Sequence, residues 1–240
     1  MADQKNLYIP VHADALPYPL PNIARSLARK GKVKIVAVGS SSTAGEGGIA
    51  PYPSRLQDVL RQKYGNPLID VINQGIGGQE ARDEYDRMQM SSMRNPRSRS
   101  GRWGPTRPGK AMILTMSPMR SSRASICLSR SRKTMDVILM DLQYAPALLA
   151  DDKIDATRRM QSLIAQCATA ARIGVFRRFD MMRKLMEIER RSFDALIDPG
   201  DGDRLHESDL VARRIGCELY LTIVNAAIKA SADAKPPWGV

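Results

Sequence analysis

Three short stretches of the 240-residue chain hold side chains that could do chemistry together. In Gly39-Ser40-Ser41-Ser42-Thr43 a serine follows a β-branched run directly, where a tight turn can expose its hydroxyl and leave its own N–H free. A serine hydroxyl at its ordinary pKa is a weak nucleophile and needs a neighbouring base. The chain offers only two histidines, His12 in an irregular N-terminal stretch and His206 in Asp203-Arg204-Leu205-His206. Asp203 lies three residues before His206, so its carboxylate can reach the imidazole Nδ1 within one turn and fix the tautomer, leaving Nε2 to face a serine. That chemistry is acyl transfer through a covalent intermediate. The third stretch, Asn73-Gln74-Gly75-Ile76-Gly77-Gly78, is rich in glycines that permit positive φ and close backbone approach.

These residues need elements to position them. Val33-Lys34-Ile35-Val36-Ala37-Val38 reads as a buried parallel strand that stops at Gly39. Apolar residues Leu56, Val59, Leu60 and Tyr64 recur at helical spacing over 54 to 64, and Gly65 is placed to close that helix. Further strands are predicted over 68 to 72, 135 to 140 and 173 to 176, with helices over 152 to 171, 179 to 196 and 208 to 230. Strands alternating with helices imply an α/β fold with a doubly wound parallel sheet. The serine loop and the glycine loop then both open at strand C-terminal ends, where such sheets bind ligands. We read one domain over 1 to 240, with an N-terminal extension over 1 to 30, an anomalous segment over 89 to 131 and a loose tail over 231 to 240.

With their order and placement, the three stretches resemble blocks one, two and five of the SGNH (GDSL-like) hydrolase family. The resemblance implies a flavodoxin-like SGNH hydrolase fold and the activity of a serine ester hydrolase. It carries the nucleophile onto Ser41 and the acid and base onto Asp203 and His206. It also assigns the oxyanion hole to the N–H groups of Ser41 and Gly78, two donors aimed at the tetrahedral intermediate. Ser40 departs from the family's commonest form, which has Asp there. A further block, a G-x-N whose Asn side chain donates to the oxyanion, is expected between the second loop and Met135 and does not occur in the sequence.

Where that block should stand, the composition changes. Residues 91 to 133 carry 11 Lys/Arg and no Asp/Glu, which accounts for nearly all of the formal charge of +12. Reading the codons one nucleotide earlier forces a glycine from the junction of Trp103 and Gly104, because TGG followed by GGN contains GGG. The neighbouring shifted codons permit a W-Q-V-G-T-N-A-A-W series under residues 100 to 109. We therefore read residues 89 to 131 as an apparently frame-shifted translation. Unselected residues should pack poorly, so little burial and no regular third strand are expected there. Pro96, Pro105 and Pro108 also fall where a central strand tolerates none.

The remaining features bound the function. No stretch approaches the roughly 18 to 20 apolar residues that a membrane span needs, so a soluble protein is expected. No secretory leader is visible, a start that fits either a cytoplasmic chain or a processed secreted one. Cys127, Cys167 and Cys217 have neither metal-ligand spacing nor a disulfide pattern. No metal and no cofactor are expected. His12 reads as a surface or segment-anchoring histidine, Asp201 and Asp209 as solvated loop carboxylates, and Met181, Met182 and Met186 as core packing. The favoured reading is a hydrolase acting on small-molecule or carbohydrate acyl or acetyl esters. Two others stand beside it: a catalytically impaired protein of this fold lacking the oxyanion Asn, and a nucleic-acid binder using the arginine-rich segment. That segment has a single aromatic residue, Trp103, for base stacking, so no nucleic-acid partner is expected. A nucleotide site is weaker still, since neither a G-x-G-x-x-G nor a P-loop Lys is present.

Overall fold

A computed structural model describes residues 15–45, 47–78, 109–115 and 135–232. Five strands, β1 (Val33–Gly39), β2 (Ile69–Gly75), β3 (Gly109–Thr115), β4 (Asp136–Met140) and β5 (Gly174–Phe176), form one sheet in the order β2-β1-β3-β4-β5. Every pairing is parallel. The helices among the described residues are α1 (Pro21–Ala28), α2 (Ser41–Ala44), α3 (Tyr52–Tyr64), α4 (Pro146–Leu149), α5 (Ile154–Ala171), α6 (Arg178–Glu187), α7 (Phe193–Leu196) and α8 (Asp209–Ala232). Order and direction match the flavodoxin-like form of the doubly wound sheet.

Alternation along the strands explains why helices cover both faces. Val33, Ile35 and Ala37 of β1, Ala111 and Ile113 of β3, and Ile138 and Met140 of β4 join one apolar cluster with Ile23 of α1, Leu56 and Leu60 of α3, and Ile215 and Leu219 of α8. Val38, Met112, Leu114, Val137 and Leu139 point the other way and pack with Ile164, Cys167 and Ala168 of α5. Successive side chains on a strand face opposite sides, so a sheet covered on both faces needs unbroken apolar runs, as these strands have. Met181 and Met182 of α6 are buried in the first cluster, with Met186 packed against it. Gly65 closes α3 in the left-handed conformation with φ 55°, its N–H donating to the Arg61 carbonyl.

Three expectations change. Residues 109 to 115, inside the segment read as frame-shifted, form the central strand β3, in register with β1 on one side and β4 on the other. Ala111, Met112, Ile113 and Leu114 are all buried, against the expectation of little burial and no regular strand. The reason is local: these four residues are a continuous apolar run lying beyond Pro108, and a slot covered on both faces selects for apolarity, not charge. The rest of that segment, including Pro96 and Pro105, lies outside the described residues. The single helix expected over 179 to 196 is instead α6 and α7, separated by a turn in which Arg190 takes φ 55°. Finally, the stretch read as an N-terminal extension contributes α1 to the core, with Leu16, Leu20 and Ile23 buried. Asp136 at the start of β4 holds α1 in place, accepting from the Ile23 N–H at 2.7 Å and from Asn22 Nδ2 at 2.9 Å. His12 and Cys127 lie outside the described residues.

One buried carboxyl joins the sheet to α6. Asp141, just past β4, accepts from the Phe179 N–H at 3.0 Å. Burial pushes its carboxyl up to about 7; the Phe179 N–H and the Arg178 guanidinium pull it down, and Asp180 adds to the rise. A folded-state value above the unfolded one means that the fold favours the neutral form. The stability this contributes is present in full below about pH 4 and is lost as pH rises through about 7. Asp141→Asn should therefore flatten the decline in urea stability over that interval; a variant whose stability runs parallel to the wild type across it would reject the assignment. A second prediction concerns Arg172, which caps α5 in the left-handed conformation at φ 55°. Arg172→Gly should stabilise the protein by about 0.5 to 1 kcal/mol, because glycine takes that conformation without a Cβ penalty; an unchanged or lowered denaturation midpoint would count against it.

Candidate active site

The site forms at the carboxyl edge of the sheet, where β1 turns into α2. Ser41 is the first residue of that helical turn, which is closed by Thr43 and Ala44 N–H bonds to the Ser40 carbonyl and by Gly45 N–H to Ser41. The N–H of a helix's first residue has no acceptor within the helix, so the turn presents both a hydroxyl and a backbone donor. Gly75 ends β2 against this turn. A Cβ at that position would run into the Ala44 nitrogen and the Thr43 carbonyl carbon, so only glycine lets β2 approach so closely. Asn73 ties the same contact together: its Nδ2 donates to the Ala44 carbonyl at 3.1 Å, and its Oδ1 accepts from the Gly75 N–H at 2.8 Å. Gly78 follows in the exposed loop with φ 69°.

The histidine arrives from a loop 165 residues away. His206 Nε2 lies 2.8 Å from Ser41 Oγ. Its other ring nitrogen, Nδ1, faces Asp201 Oδ2 at 3.2 Å, and the two side chains are only 18% and 11% exposed. Ser41 and His206 are therefore brought together, and Asp203 is not brought to them. Asp203 is exposed, and it is its backbone N–H that donates to Asp201 Oδ1. Asp201, expected as a solvated carboxylate, instead accepts from the Leu205 and His206 N–H groups, both at 2.6 Å, as well as facing the imidazole. Desolvation opposes its charge, but those two N–H donors and the imidazole outweigh it and hold the carboxyl below the usual range. The sequence signal was the pair of carboxylates in Asp201-Gly202-Asp203, both within reach of His206. Which one turns inward is set by the loop, where Arg204 takes φ 52°.

The loop itself is strapped down. The Asp198 N–H donates to the His206 carbonyl at 3.0 Å, Gln143 Nε2 to the Leu205 carbonyl at 3.0 Å, and the Ser208 hydroxyl to the Ala195 carbonyl at 2.7 Å. Asp209, the other flanking carboxylate, pairs with Arg55 at 2.5 Å and Arg213 at 2.7 Å. Among the described residues no group of three His, Cys, Asp or Glu could hold a metal ion, and no helix is long and apolar enough to cross a membrane.

No protein-family model matches the chain, and no curated protein matches it. Solved structures do. A member of the lipolytic G-D-S-L family from Veillonella parvula superposes with a TM-score of 0.54 at 13% identity, over 80% of this chain and 98% of that one. A variant of Axe2, an acetyl xylan esterase from Geobacillus stearothermophilus, reaches a TM-score of 0.58 at 15% identity, over 81% and 96% of the two chains. LAE5, an alpha/beta hydrolase enzyme from the metagenome of Lake Arreo, Spain, reaches 0.59 at 14% identity, over 82% and 98%. With its five-stranded parallel sheet and flanking helices, the chain has the SGNH hydrolase-like fold.

Proposed function

We propose that this protein is a serine ester hydrolase that cleaves acyl or acetyl esters through an acyl-enzyme, with Ser41 as nucleophile, His206 as base and Asp201 as the acid that orients it. The observation that carries the reading is the continuous line from Asp201 Oδ2 to His206 Nδ1 at 3.2 Å and from His206 Nε2 to Ser41 Oγ at 2.8 Å. Ser41 Oγ attacks the ester carbonyl carbon while Nε2 takes the hydroxyl proton. The tetrahedral oxyanion is met by the N–H groups of Ser41 and Gly78. The imidazolium then returns the proton to the departing alcohol, leaving the acyl group on Ser41. Water, activated by the same histidine, attacks the acyl carbon and releases the acid. Asp201 stays ionised throughout, consistent with a carboxyl held below its usual range. The acetyl xylan esterases among the structural neighbours favour a small acyl group on a small-molecule or carbohydrate alcohol.

The missing G-x-N supports a second reading, an impaired enzyme of the same fold, since one lost oxyanion donor costs about 10² to 10³ in rate. Turnover of p-nitrophenyl acetate separates the two.

Ser41→Ala and His206→Ala should each abolish p-nitrophenyl acetate hydrolysis while leaving the circular dichroism spectrum unchanged, because both act in one proton-transfer unit. A fluorophosphonate should label the wild type at Ser41. Retained turnover in either variant, or labelling at another serine, would reject the assignment. Between the two candidate acids, Asp201→Asn should lower kcat by roughly 10² to 10⁴, while Asp203→Asn should stay within about threefold of wild type, as exposed carboxylates away from the reacting groups usually do. The reverse order would return the acid role to Asp203, as the D-x-x-H resemblance has it.

A further inference from the structure

Behind the Ser41–His206 contact lies a charged group that the proposed reaction does not use. Arg178, at the start of α6, has a side chain only 1% exposed, and Glu207 one only 5% exposed. Arg178 Nη1 donates to Ser42 Oγ at 3.1 Å and stands 3.9 Å from Glu207 Oε2. Ser42 is the neighbour of Ser41 in α2, and Glu207 is the neighbour of His206. One guanidinium therefore touches the residue next to each of the two groups that must stay in contact. Its own base is fixed, because the next residue, Phe179, donates its N–H to Asp141 at the end of β4.

We propose that Arg178 is a positioning residue: paired with Glu207 and bonded to Ser42, it locks the nucleophile turn and the histidine loop together so that Ser41 and His206 keep their reactive distance.

Stability alone does not account for the arrangement. Burying two opposite charges costs several kcal/mol per ion, repaid only when geometry is excellent and the remaining donors and acceptors are satisfied. Here the pair is separated by 3.9 Å, and neither Arg178 Nε nor Glu207 Oε2 has a hydrogen-bond partner among the described residues. Burial pushes the Glu207 carboxyl up, with Arg178 the largest influence opposing the rise. A well-packed apolar pair would fill the same space at no loss of stability. What an apolar pair cannot do is fix direction. A guanidinium bound to two loops at once sets their separation, and a displacement of about 1 Å at a reacting group can cost on the order of 10²-fold in rate.

The inference rests on the proposed hydrolase reading, and the experiment separates the two. The double variant Arg178→Met with Glu207→Leu replaces the charges by apolar groups, and Ser42→Ala removes only the bridging acceptor. Each is compared with wild type in melting temperature, in kcat and KM for p-nitrophenyl acetate, and in the imidazole NMR signals. The chain has only two histidines, so the signals of His206 can be assigned against a His12→Gln variant. The double variant should melt at or above the wild-type temperature. It should lose roughly 10- to 100-fold in kcat with KM within about twofold, and the hydrogen-bonded Nδ1 proton of His206 should broaden or vanish. Ser42→Ala should show the same pattern more weakly, and Arg178→Lys should recover part of the kcat that the double variant loses. A folded double variant with wild-type kcat and an unchanged His206 signal would overturn the inference; if the double variant does not fold, Ser42→Ala with wild-type values does so. A wild type that shows the Nδ1 proton but no turnover rejects the hydrolase reading alone, and the His206 signal in the variants still decides the positioning role.

Discussion

All five strands run the same way, and β1 sits between β2 and β3, so the chain leaves β1 toward one neighbour and reaches the other only later. At such a reversal of strand order, doubly wound sheets bind ligands beyond the carboxyl ends of their strands. Ser41 stands at that edge because β1 ends just before it, and His206 reaches it because the loop before α8 crosses the same edge. The contact spans 165 residues of sequence, and no local preference could create it. Everything else at the site serves to hold two loops at one distance. On one side Gly75 and Asn73 press β2 against the Ser41 turn; on the other, Gln143 straps the histidine loop to the chain following β4.

Within that loop, desolvation and hydrogen bonding compete over two carboxylates. A carboxylate can stay charged while buried only if donors converge on it. Asp201 turns inward and collects the Leu205 and His206 N–H groups and the imidazole; Asp203 turns outward to solvent. The positive φ of Arg204 lets the chain fold back over Asp201 so that successive N–H groups point at one oxygen. The Asp201 carboxylate and the backbone cradle are thus one structure.

The central strand shows the same competition at the level of the sheet. A strand paired on both edges and covered on both faces must be apolar throughout, and the four residues Ala111, Met112, Ile113 and Leu114 meet that demand. The arginines on either side dominated the composition, and they obscured a short run whose pattern was plain once isolated. Charge averaged over 43 residues says little about seven of them, because burial is decided residue by residue.

How much was legible follows from which interactions are local. β1, β2, β4 and β5, the helices α3, α5 and α8, the Gly65 cap, Ser41 and His206 were all readable, because apolar periodicity, β-branched runs and capping glycines act over a few residues. The break between α6 and α7 and the packing of α1 onto the core were not, since a left-handed turn at Arg190 and the burial of Leu16 and Leu20 depend on what lies across from them. The sequence by itself determined the α/β alternation, the serine turn after the first strand and the presence of a histidine with two nearby carboxylates. Only the tertiary structure decided that Asp201 and not Asp203 meets the imidazole, that residues 109 to 115 fill the centre of the sheet, and that Arg178 lies buried between Ser42 and Glu207. Each of these choices balances desolvation against partners contributed by distant segments, and those partners exist only once the chain has folded.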